Sequence, residues 1–485
     1  MGRVESASRR PARDAVLLGT AATVLALIAA QRRQLWGDEA ATISATNRPL
    51  GELWQMLHHV DAVHGAYYLF MHFWVAAFGT SATSLRFPSA IAVGSACAGV
   101  VLLGQRLGGR GTGLVAGAVF ATMPRVMWAG SEGRQYGLTA MLAVALVWAA
   151  LNAWDRGRLR DWAVYAAVAA LGILTFLFFG FLVAAITGAA VLLRRRPLAT
   201  FAASAAAGAV LAPFAVFTAT QTAQVAWVEN PTSPLQTLGV DQFFSGAEET
   251  MGWVVPWMRL LACVVLLLVL MAVADAVRNV ENRDRVVLTL LLVLLPLIGI
   301  LAMGLVGHNS YVARYLTFTT PFLALLVAFG VTRLATLAPR SIAAAGLAVV
   351  VALGIAPGMW AATSQPCVTN DQEIAVMVAH RNWPAAVVFA MPSSRNRKLL
   401  YPDAFKGMRD IALQKTPTQA DNLWGTSRRI PKASFAGLRQ VWYFGPQVVE
   451  WNLTGLIDAG CRVVHVWKFG DDNSVRRLNC MRVQS

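Results

Sequence analysis

The chain has 485 residues, of which 56% are hydrophobic and only 14% are charged. Soluble globular proteins carry about 25% charged residues, so this composition excludes an ordinary soluble protein; with the repeated long apolar runs it predicts a helical membrane protein with many spans. The formal net charge of +16 does not predict nucleic-acid binding, because most of the arginines lie in short loops between the apolar runs, where basic cytoplasmic loops are expected.

Eleven apolar runs are candidates for membrane spans. In chain order they cover residues 15–30, 85–104, 112–127, 137–153, 162–175, 177–193, 198–220, 255–273, 286–306, 315–332 and 341–360. The basic start and the first run also fit a cleaved signal peptide, but the many runs that follow favour a retained first span. A twelfth segment, His64–Gly79, has only 16 residues, so it is either a span or a helix that lies in the membrane interface.

The distribution of arginine decides between these two topologies. With His64–Gly79 in the interface and the N-terminus in the cytoplasm, the cytoplasmic loops carry 17 arginines and the outside loops carry 5. If His64–Gly79 were a span, every later loop would change sides and the bias would be reversed, against the positive-inside rule. The interfacial helix is therefore favoured, although Arg32 and Arg33 then lie outside, against the same rule.

This topology predicts a long first extracytoplasmic loop, residues 31–84, and an extracytoplasmic C-terminal region, residues 361–485. The C-terminal region contains one helical segment, Glu373–His380, and three strand-like runs, Ala385–Ala390, Gln440–Phe444 and Arg462–Trp467. This pattern predicts a small α/β domain. The rest of the chain, residues 1–360, is the membrane domain. Three cysteines of the C-terminal region allow one disulfide whose partners the sequence does not determine: Cys367, Cys461 and Cys480.

The first loop concentrates ionisable side chains directly after the first span. Asp38 and Glu39 are adjacent carboxylates, suited to act as a general base and its helper or to bind a metal. They also suit the first turn of a helix. Asp61 and His64 follow and offer either a second carboxylate and an imidazole at the same membrane depth, or a cap for the next helix. Ionisable groups beside a membrane often mark function, but both interpretations remain open.

A second group of candidates lies in the other predicted outside segments. One short loop contains Glu132 and Arg134. The forked guanidinium suits a phosphate, and an ion pair between these two residues is the structural alternative. Arg86, Arg125 and Arg314 lie at the outer ends of spans, where the positive-inside rule does not require them. They are candidates to bind a lipid phosphate, with ordinary lipid headgroups as the alternative partners.

The motifs of soluble nucleotide and hydrolase chemistry are absent from the sequence, which has no Walker motif, no G-x-G-x-x-G before a helix, no G-x-S-x-G and no H-E-x-x-H. Ionisable residues also avoid the middles of the spans, whereas a transporter needs a site near the membrane midplane. This one-sided arrangement favours an enzyme that takes a membrane-borne donor from the outer leaflet. A transporter or flippase of lipid-linked sugars, without transferase activity, is the alternative.

Five motifs follow the first span in a recognisable order. They are Trp36-Gly37-Asp38-Glu39, Asp61-x-x-His64-x-x-Tyr67-Tyr68-Leu69, Leu85-Arg86-Phe87-Pro88-Ser89, Ser131-Glu132-x-Arg134-x-Tyr136, and Arg314-Tyr315-Leu316 with Pro321. In this order they resemble the GT-C superfamily of polyprenyl-phosphate-sugar-dependent glycosyltransferases, in particular its protein-mannosyltransferase-like, ArnT-like branch. The resemblance covers roughly residues 15–360.

The resemblance implies roles for the first-loop residues. Asp38 matches the aspartate taken as catalytic base in that family, and Glu39 matches its partner. Asp61 and His64 match the second part of the loop, where the family often has His-Pro-Pro. This chain has His64-Gly65-Ala66 instead, and the missing prolines argue against a metal role for His64.

The resemblance also implies the reaction, which is transfer of a sugar, mannose or a pentose, from a polyprenyl phosphate to an acceptor with inversion. Arg134 and Arg314 match positions that bind the donor phosphate, and Arg86 is a further candidate from its position. His64 and Glu132 are candidates for acceptor or metal contact. The sequence requires no cofactor, although a divalent metal is possible.

The expected setting is the cytoplasmic membrane, with the active site on the extracytoplasmic face and an envelope glycan, lipid or protein as acceptor. Small extracytoplasmic tail domains occur in actinobacterial envelope members of the family, which implies a decaprenyl-phosphate donor.

Overall fold

The computed structural model describes residues 2–221, 240–244, 255–337, 371–380, 386–428, 440–446, 451–469 and 473–480, together with a few isolated positions. The chain divides into two compact units, each formed by several stretches of sequence. The first unit comprises Met1–Arg33, Val63–Tyr67 and Ser81–Pro366, and the second comprises Gln34–Ala62, Tyr68–Thr80 and Cys367–Ser485.

The helices among the described residues, in chain order, are α1 (Gly2–Arg32), α2 (Gly37–Thr46), α3 (Leu50–His59), α4 (Gly65–Phe78), α5 (Ala82–Thr122), α6 (Pro124–Gly130), α7 (Tyr136–Arg156), α8 (Leu159–Thr175), α9 (Gly180–Leu192), α10 (Pro197–Ala219), α11 (Asp241–Phe244), α12 (Val255–Arg278), α13 (Val280–Leu305), α14 (Thr320–Leu337), α15 (Asp371–Ala379), α16 (Asn396–Leu400) and α17 (Trp451–Asp458). The strands are β1 (Ala386–Phe389), β2 (Arg409–Asp410), β3 (Leu413–Lys415), β4 (Thr426–Ser427), β5 (Gln440–Pro446), β6 (Cys461–Phe469) and β7 (Asn473–Cys480).

The described residues include 7 helices that are long and apolar enough to cross a membrane. These helices contain eight of the predicted spans, because the 41-residue α5 joins two of them. The predicted spans 162–175 and 177–193 form the shorter helical segments Leu159–Thr175 and Leu177–Leu192. The run 341–360 lies largely outside the described residues. The prediction of a multi-pass membrane protein is therefore confirmed, while the count of eleven spans stays a prediction.

Glycine explains both the break in α5 and its contact with α1. At Gly109 the backbone has φ +86, a left-handed value that glycine adopts readily because it has no Cβ. This residue separates the two predicted spans within α5. Nearer its start, α5 packs against α1 where Gly94 faces Gly19. A Cβ at Gly19 would lie 2.8 Å from the Gly94 carbonyl oxygen, so small residues allow the two backbones to approach closely.

The outer surface of the first unit is apolar, as lipid contact requires. On α10, Leu198 is 84% exposed and Val210 is 74% exposed. In a soluble protein such a surface would mark an interface, but around a bundle of long apolar helices it faces the hydrocarbon of the bilayer.

Loops that the arginine count assigns to the cytoplasm meet at one end of the first unit. Four charged contacts join them: Arg106–Asp155 at 2.6 Å, Arg195–Asp284 at 3.3 Å, Arg110–Asp14 at 2.7 Å and Arg333–Asp275 at 3.2 Å. These loops therefore lie on one common side, as the topology requires. That this side is the cytoplasmic one remains a prediction.

Helix α4 is too short to be an upright span. It has 14 residues, which extend about 21 Å at 1.5 Å per residue, whereas the hydrocarbon core is about 30 Å thick. Leu69, Phe73 and Phe78 are exposed on its surface. The length agrees with the interfacial interpretation of His64–Gly79.

The second unit contains a five-stranded sheet of order β2-β1-β5-β7-β6. The strands β2, β1 and β5 are parallel, and β7 is antiparallel to both β5 and β6. The three predicted strands and the predicted helix are present as β1, β5, β6 and α15, so the predicted α/β fold is confirmed. A disulfide joins Cys461 to Cys480 across β6 and β7, and Cys367 lies outside the described residues.

The first loop folds together with the C-terminal region, which the sequence does not predict. Helix α2 packs against α16. The Ser44 hydroxyl donates to the Leu423 carbonyl at 2.7 Å, and the Arg48 guanidinium donates to the carbonyl oxygen of Asn422. The two units thus follow a different division from the predicted boundary at residue 360.

Candidate functional site

Arg134 lies in a short, tightly held loop between α6 and α7. Pro124 begins α6, as its fixed φ favours, and α6 ends at Gly130, which leaves five residues before α7. The Ser89 hydroxyl donates to the Arg134 carbonyl at 3.0 Å and so fixes the loop to α5. Only 5% of Arg134 is exposed. A buried guanidinium needs strong polar partners, and one of its partners is His64.

His64 holds Arg134 through its ring. The Arg134 Nη2 atom lies 3.1 Å from His64 Nε2, and the Gln135 side-chain amide lies 2.9 Å from His64 Nδ1. Because a guanidinium only donates, Nε2 must accept, so the proton of the neutral ring lies on Nδ1. The Gln135 amide, placed with its nitrogen toward Nδ1, must be turned so that its oxygen accepts this proton. His64 therefore orients Arg134 by accepting a hydrogen bond at Nε2.

The electrostatic surroundings keep His64 neutral. Burial, and then the positive charges of Arg134 and Arg314, hold the pKa of His64 well below its usual value. A protonated ring would lose the bond from Arg134 and would face two cations. The metal role considered for His64 would compete with Arg134 for the same lone pair.

Arg314 begins a second wall of this region. It lies in the helical turn Ala313–Thr319 that precedes α14, and its Cζ atom lies 5.8 Å from the Tyr315 ring centroid. Arg125 is 1% exposed and donates to the carbonyl of Ala313, which fixes the backbone before Arg314. Arg125 thus has a structural role in positioning Arg314.

Aromatic rings pack beside Arg314. Tyr136 stacks on Tyr315 with ring centroids 6.2 Å apart, and Phe176 meets both rings edge-on. Aromatic packing restricts the rotamers of these side chains, so it fixes the turn in which Arg314 lies.

Arg33 is a member of the site that sequence reasoning missed. Its guanidinium carbon lies 3.4 Å from the Trp128 ring centroid, and its Nη1 donates to the Ser131 hydroxyl at 2.7 Å. The signal was present as the apparent violation of the positive-inside rule at Arg32 and Arg33. An arginine stacked on a tryptophan is held in place while keeping its charge.

Glu132 and Arg86 have structural contacts. Glu132 is fully buried, and its Oε2 accepts from the Trp128 indole at 3.1 Å. Arg86 is also fully buried and donates to the carbonyls of Ala30 and Arg33 at 2.6 and 2.8 Å, so it caps the end of α1. Both residues thus have partners within the protein, and their predicted ligand roles stay predictions.

The first unit thus connects Arg33, Arg134 and Arg314, which we call the arginine cluster, through the loop 131–135 and through His64. Arg33 bonds Ser131 in the loop that carries Arg134, and the charges of Arg134 and Arg314 both act on His64. Like charges that lie close together repel one another, and an anion relieves this repulsion. Guanidinium groups bind phosphate oxygens through paired N–H donors.

The three carboxylates predicted to be catalytic belong to the second unit. Glu39 is fully buried, and its Oε2 accepts the backbone N–H of Trp36 at 3.3 Å, as in the helix-cap alternative. Asp38 lies half-buried in the same first turn of α2. Asp61 has φ +58, and its Oδ2 accepts from the Tyr68 hydroxyl at 2.7 Å. The described residues contain no group of three or more His, Cys, Asp or Glu side chains that could hold a metal.

Comparisons with known proteins agree with this architecture. Residues 66–219, from α4 to α10, match the family model of dolichyl-phosphate-mannose-protein mannosyltransferases. No curated protein matches the chain.

Among solved structures, ArnT from Cupriavidus metallidurans in the apo state is 12% identical, with a TM-score of 0.58 over 95% of this chain and 97% of that chain. The same protein bound to undecaprenyl phosphate gives 12% identity, a TM-score of 0.56 and the same coverage. At this identity the likeness concerns the fold, and it extends over nearly the whole of both chains. The chain therefore shares the fold of ArnT, and residues 66–219, which are fewer than half of the chain, match the mannosyltransferase family model.

Proposed function

We propose that this protein is a membrane glycosyltransferase that transfers a sugar, mannose or a pentose, from a polyprenyl phosphate to an acceptor of the cell envelope. The observation that supports this proposal most directly is the arginine cluster with a neutral histidine beside it. The ArnT structure with undecaprenyl phosphate supports a lipid phosphate as the anion. In this chain Arg134, Arg314 and Arg33 bind the donor phosphate.

The chemistry of the donor explains why cations are sufficient to stabilise the leaving group. When the acceptor hydroxyl attacks the anomeric carbon, the bond to the phosphate oxygen breaks and the carrier leaves as a phosphate anion. This leaving group needs positive charge rather than a proton, and preorganised guanidinium groups supply it. Attack on the face opposite the leaving phosphate inverts the anomeric centre. A metal is not required by this scheme.

The proton of the attacking hydroxyl needs a carboxylate within hydrogen-bond reach. Of the three candidates, Glu39 caps its own helix and Asp61 accepts from Tyr68. Asp38 is half-buried in the first turn of α2, and it matches the aspartate that the family resemblance implies as base, so we assign the base to Asp38. Glu39 then acts by fixing the turn that presents Asp38.

The extracytoplasmic face is the proposed location of the reaction. The excess of arginine in the opposite loops supports this orientation. The disulfide between Cys461 and Cys480 supports it as well, because disulfides persist in oxidising compartments.

The test uses the full chain in lipid nanodiscs with defined donors, decaprenyl-phosphate mannose and decaprenyl-phosphate arabinose, and an envelope glycan extract as acceptor. We expect release of decaprenyl phosphate with formation of a glycosidic bond, unaffected by EDTA. Arg134→Gln is expected to lower kcat/KM by about a hundredfold or more, as for loss of one oxyanion donor. Arg195→Gln, at the opposite end of the first unit, is the matched control and keeps activity.

Two outcomes contradict parts of the proposal. Full transfer by Asp38→Asn shows that Asp38 is not the base. Movement of donor lipid between the leaflets of proteoliposomes, without transfer to any acceptor, shows that the transporter or flippase alternative is correct.

A further inference from the structure

A recess of about 760 Å³ opens in the second unit. It lies at the carboxyl end of β1, where Met391 follows the strand, and is bounded by the segment 422–427 and by Val60 after α3. Open α/β sheets hold ligands at the carboxyl ends of parallel strands, and β1 is parallel to both of its neighbours. The volume lies within the range of small-molecule sites.

The lining has the chemistry of a neutral, hydroxyl-rich ligand. Trp424 offers a half-buried aromatic face, and Asn422, Thr426 and Ser427 offer amide and hydroxyl groups. Among the described residues that line the recess, none carries a charged side chain. An aromatic surface with a few polar groups, and no ion to desolvate, favours the apolar face and the hydroxyls of a sugar ring over an anion.

The wall that carries Trp424 is rigid. The Asn422 Oδ1 atom accepts the backbone N–H groups of Trp424 and Gly425 at 3.1 and 2.6 Å. Gly425 has φ +74, and a Cβ there would lie 2.4 Å from the Lys415 carbonyl oxygen, so the turn requires glycine. The buried Arg395 donates to the Ser427 hydroxyl at 3.0 Å. A surface that is fixed before binding loses less conformational entropy when a ligand binds.

The same wall is attached to the helix that carries Asp38. Ser44 and Arg48 of α2 bond the backbone carbonyls of Leu423 and Asn422. The recess and the first turn of α2 therefore belong to one connected structure within the second unit. A ligand in the recess would be held at a fixed distance from the proposed base.

We propose that this recess binds a neutral oligosaccharide, the sugar chain of the acceptor, through stacking on Trp424. This inference rests on the proposed function, since it names the class of acceptor for that reaction. Sugar residues away from the reacting hydroxyl supply binding energy that positions it. A polyanionic glycan does not fit, because nothing in the described lining neutralises its charge.

The experiment measures oligosaccharide binding to the full chain in nanodiscs by calorimetry and saturation-transfer NMR. The probes are α-linked mannotetraose and arabinotetraose, with tetragalacturonate as the charged comparison. We expect Trp424→Ala to raise the Kd of the neutral probes by about tenfold or more. Trp54→Ala removes a tryptophan exposed on α3 and is the matched control without effect.

A second variant enlarges a side chain at the recess instead of removing one. Met391 is 45% exposed at the mouth of the recess, so Met391→Trp fills the entrance and is expected to weaken binding by a similar factor. Unchanged affinity in both Trp424→Ala and Met391→Trp overturns the inference. Equal affinity for tetragalacturonate and the neutral probes overturns it as well.

The two proposals fail in distinguishable ways. If the recess binds the acceptor, Trp424→Ala raises the KM for acceptor while the KM for donor stays constant, whereas Arg134→Gln acts on the donor. If Trp424→Ala transfers sugar with an unchanged KM for the acceptor, the acceptor-binding role of the recess is refuted while the transferase proposal stands. If the tetrasaccharide binds in a way that depends on Trp424 but no sugar is ever transferred, the result supports oligosaccharide binding in the recess and refutes the transferase proposal.

Discussion

Replacing His64 by leucine tests the core of the site. The variant keeps a side chain of similar size but removes the acceptor for the Arg134 guanidinium, which lies 3.1 Å from Nε2. A hydrogen bond to a charged group contributes about 1.5–3 kcal/mol, which corresponds to about 10- to 150-fold in affinity or rate. We expect His64→Leu to lower kcat/KM for the donor within this range, because Arg134 is no longer held in its binding orientation.

A second substitution separates orientation from other roles. In His64→Gln, the amide oxygen accepts from Arg134 and the amide N–H donates to Gln135, so both observed contacts are retained. We expect most of the lost activity to return, to within about threefold of the parent, a difference below 1 kcal/mol. A histidine that acted as base or metal ligand is not replaced by glutamine in this way, since an amide neither titrates near neutral pH nor binds metal as imidazole does.

The assay is steady-state release of decaprenyl phosphate in nanodiscs, with the donor concentration varied at saturating acceptor. His308→Leu, a change at an exposed histidine that also belongs to the first unit, is the control for loss of an imidazole. Equal losses in His64→Leu and His64→Gln would refute the orientation argument. So would full activity in His64→Leu.

Three further predictions follow from the described contacts. Arg33→Gln should raise the donor KM by about tenfold or more, the loss of one charge-assisted bond, measured in the same assay. The folded pKa of His64 is lowered relative to about 6.5 in the unfolded chain, so the unfolded state binds more protons and stability should fall as the pH drops below that value. Thermal unfolding of His64→Gln should show less of this decline. With Cys367 replaced by serine, Cys461→Ser should expose the Cys480 thiol to an impermeant maleimide in intact cells. No labelling would contradict the extracytoplasmic orientation.

The sequence was sufficient for the features that arise from local pattern. Runs of about twenty apolar residues can satisfy their backbone only as helices in lipid, and every predicted span that the structure describes is helical. The strands β1, β5 and β6 were visible as short apolar runs. The 16-residue segment His64–Gly79 contains the short helix α4, and its position in the membrane interface stays a prediction.

Features that depend on contacts between distant residues were not predicted. The sequence shows Arg33 only as an outside arginine, and its stacking on Trp128, 95 residues later, needs the packed helices. Arg86 has the same residue type and a similar position but caps the end of α1. Nothing in the residue pattern distinguishes the two, because the difference lies in which carbonyl or ring each guanidinium meets.

The recess beside Trp424 depends even more on tertiary structure. Its walls come from the first loop, from the end of β1 and from a turn near residue 425, and no local motif joins them. The sequence assigned the loop and the C-terminal region to different domains, so it had no means to predict a shared pocket.

Histidine suits position 64 better than a carboxylate or leucine, for a physical reason. A carboxylate would orient Arg134 equally well, but its charge would cancel the cation that the donor phosphate requires. Leucine would leave the cation and lose the orientation. A neutral imidazole supplies an acceptor without adding negative charge. Burial keeps it neutral, and the charges of Arg134 and Arg314 add to this effect. His64→Glu should therefore preserve the hydrogen bond while weakening donor binding more than His64→Leu does, and the order of these two variants distinguishes the need for charge from the need for orientation.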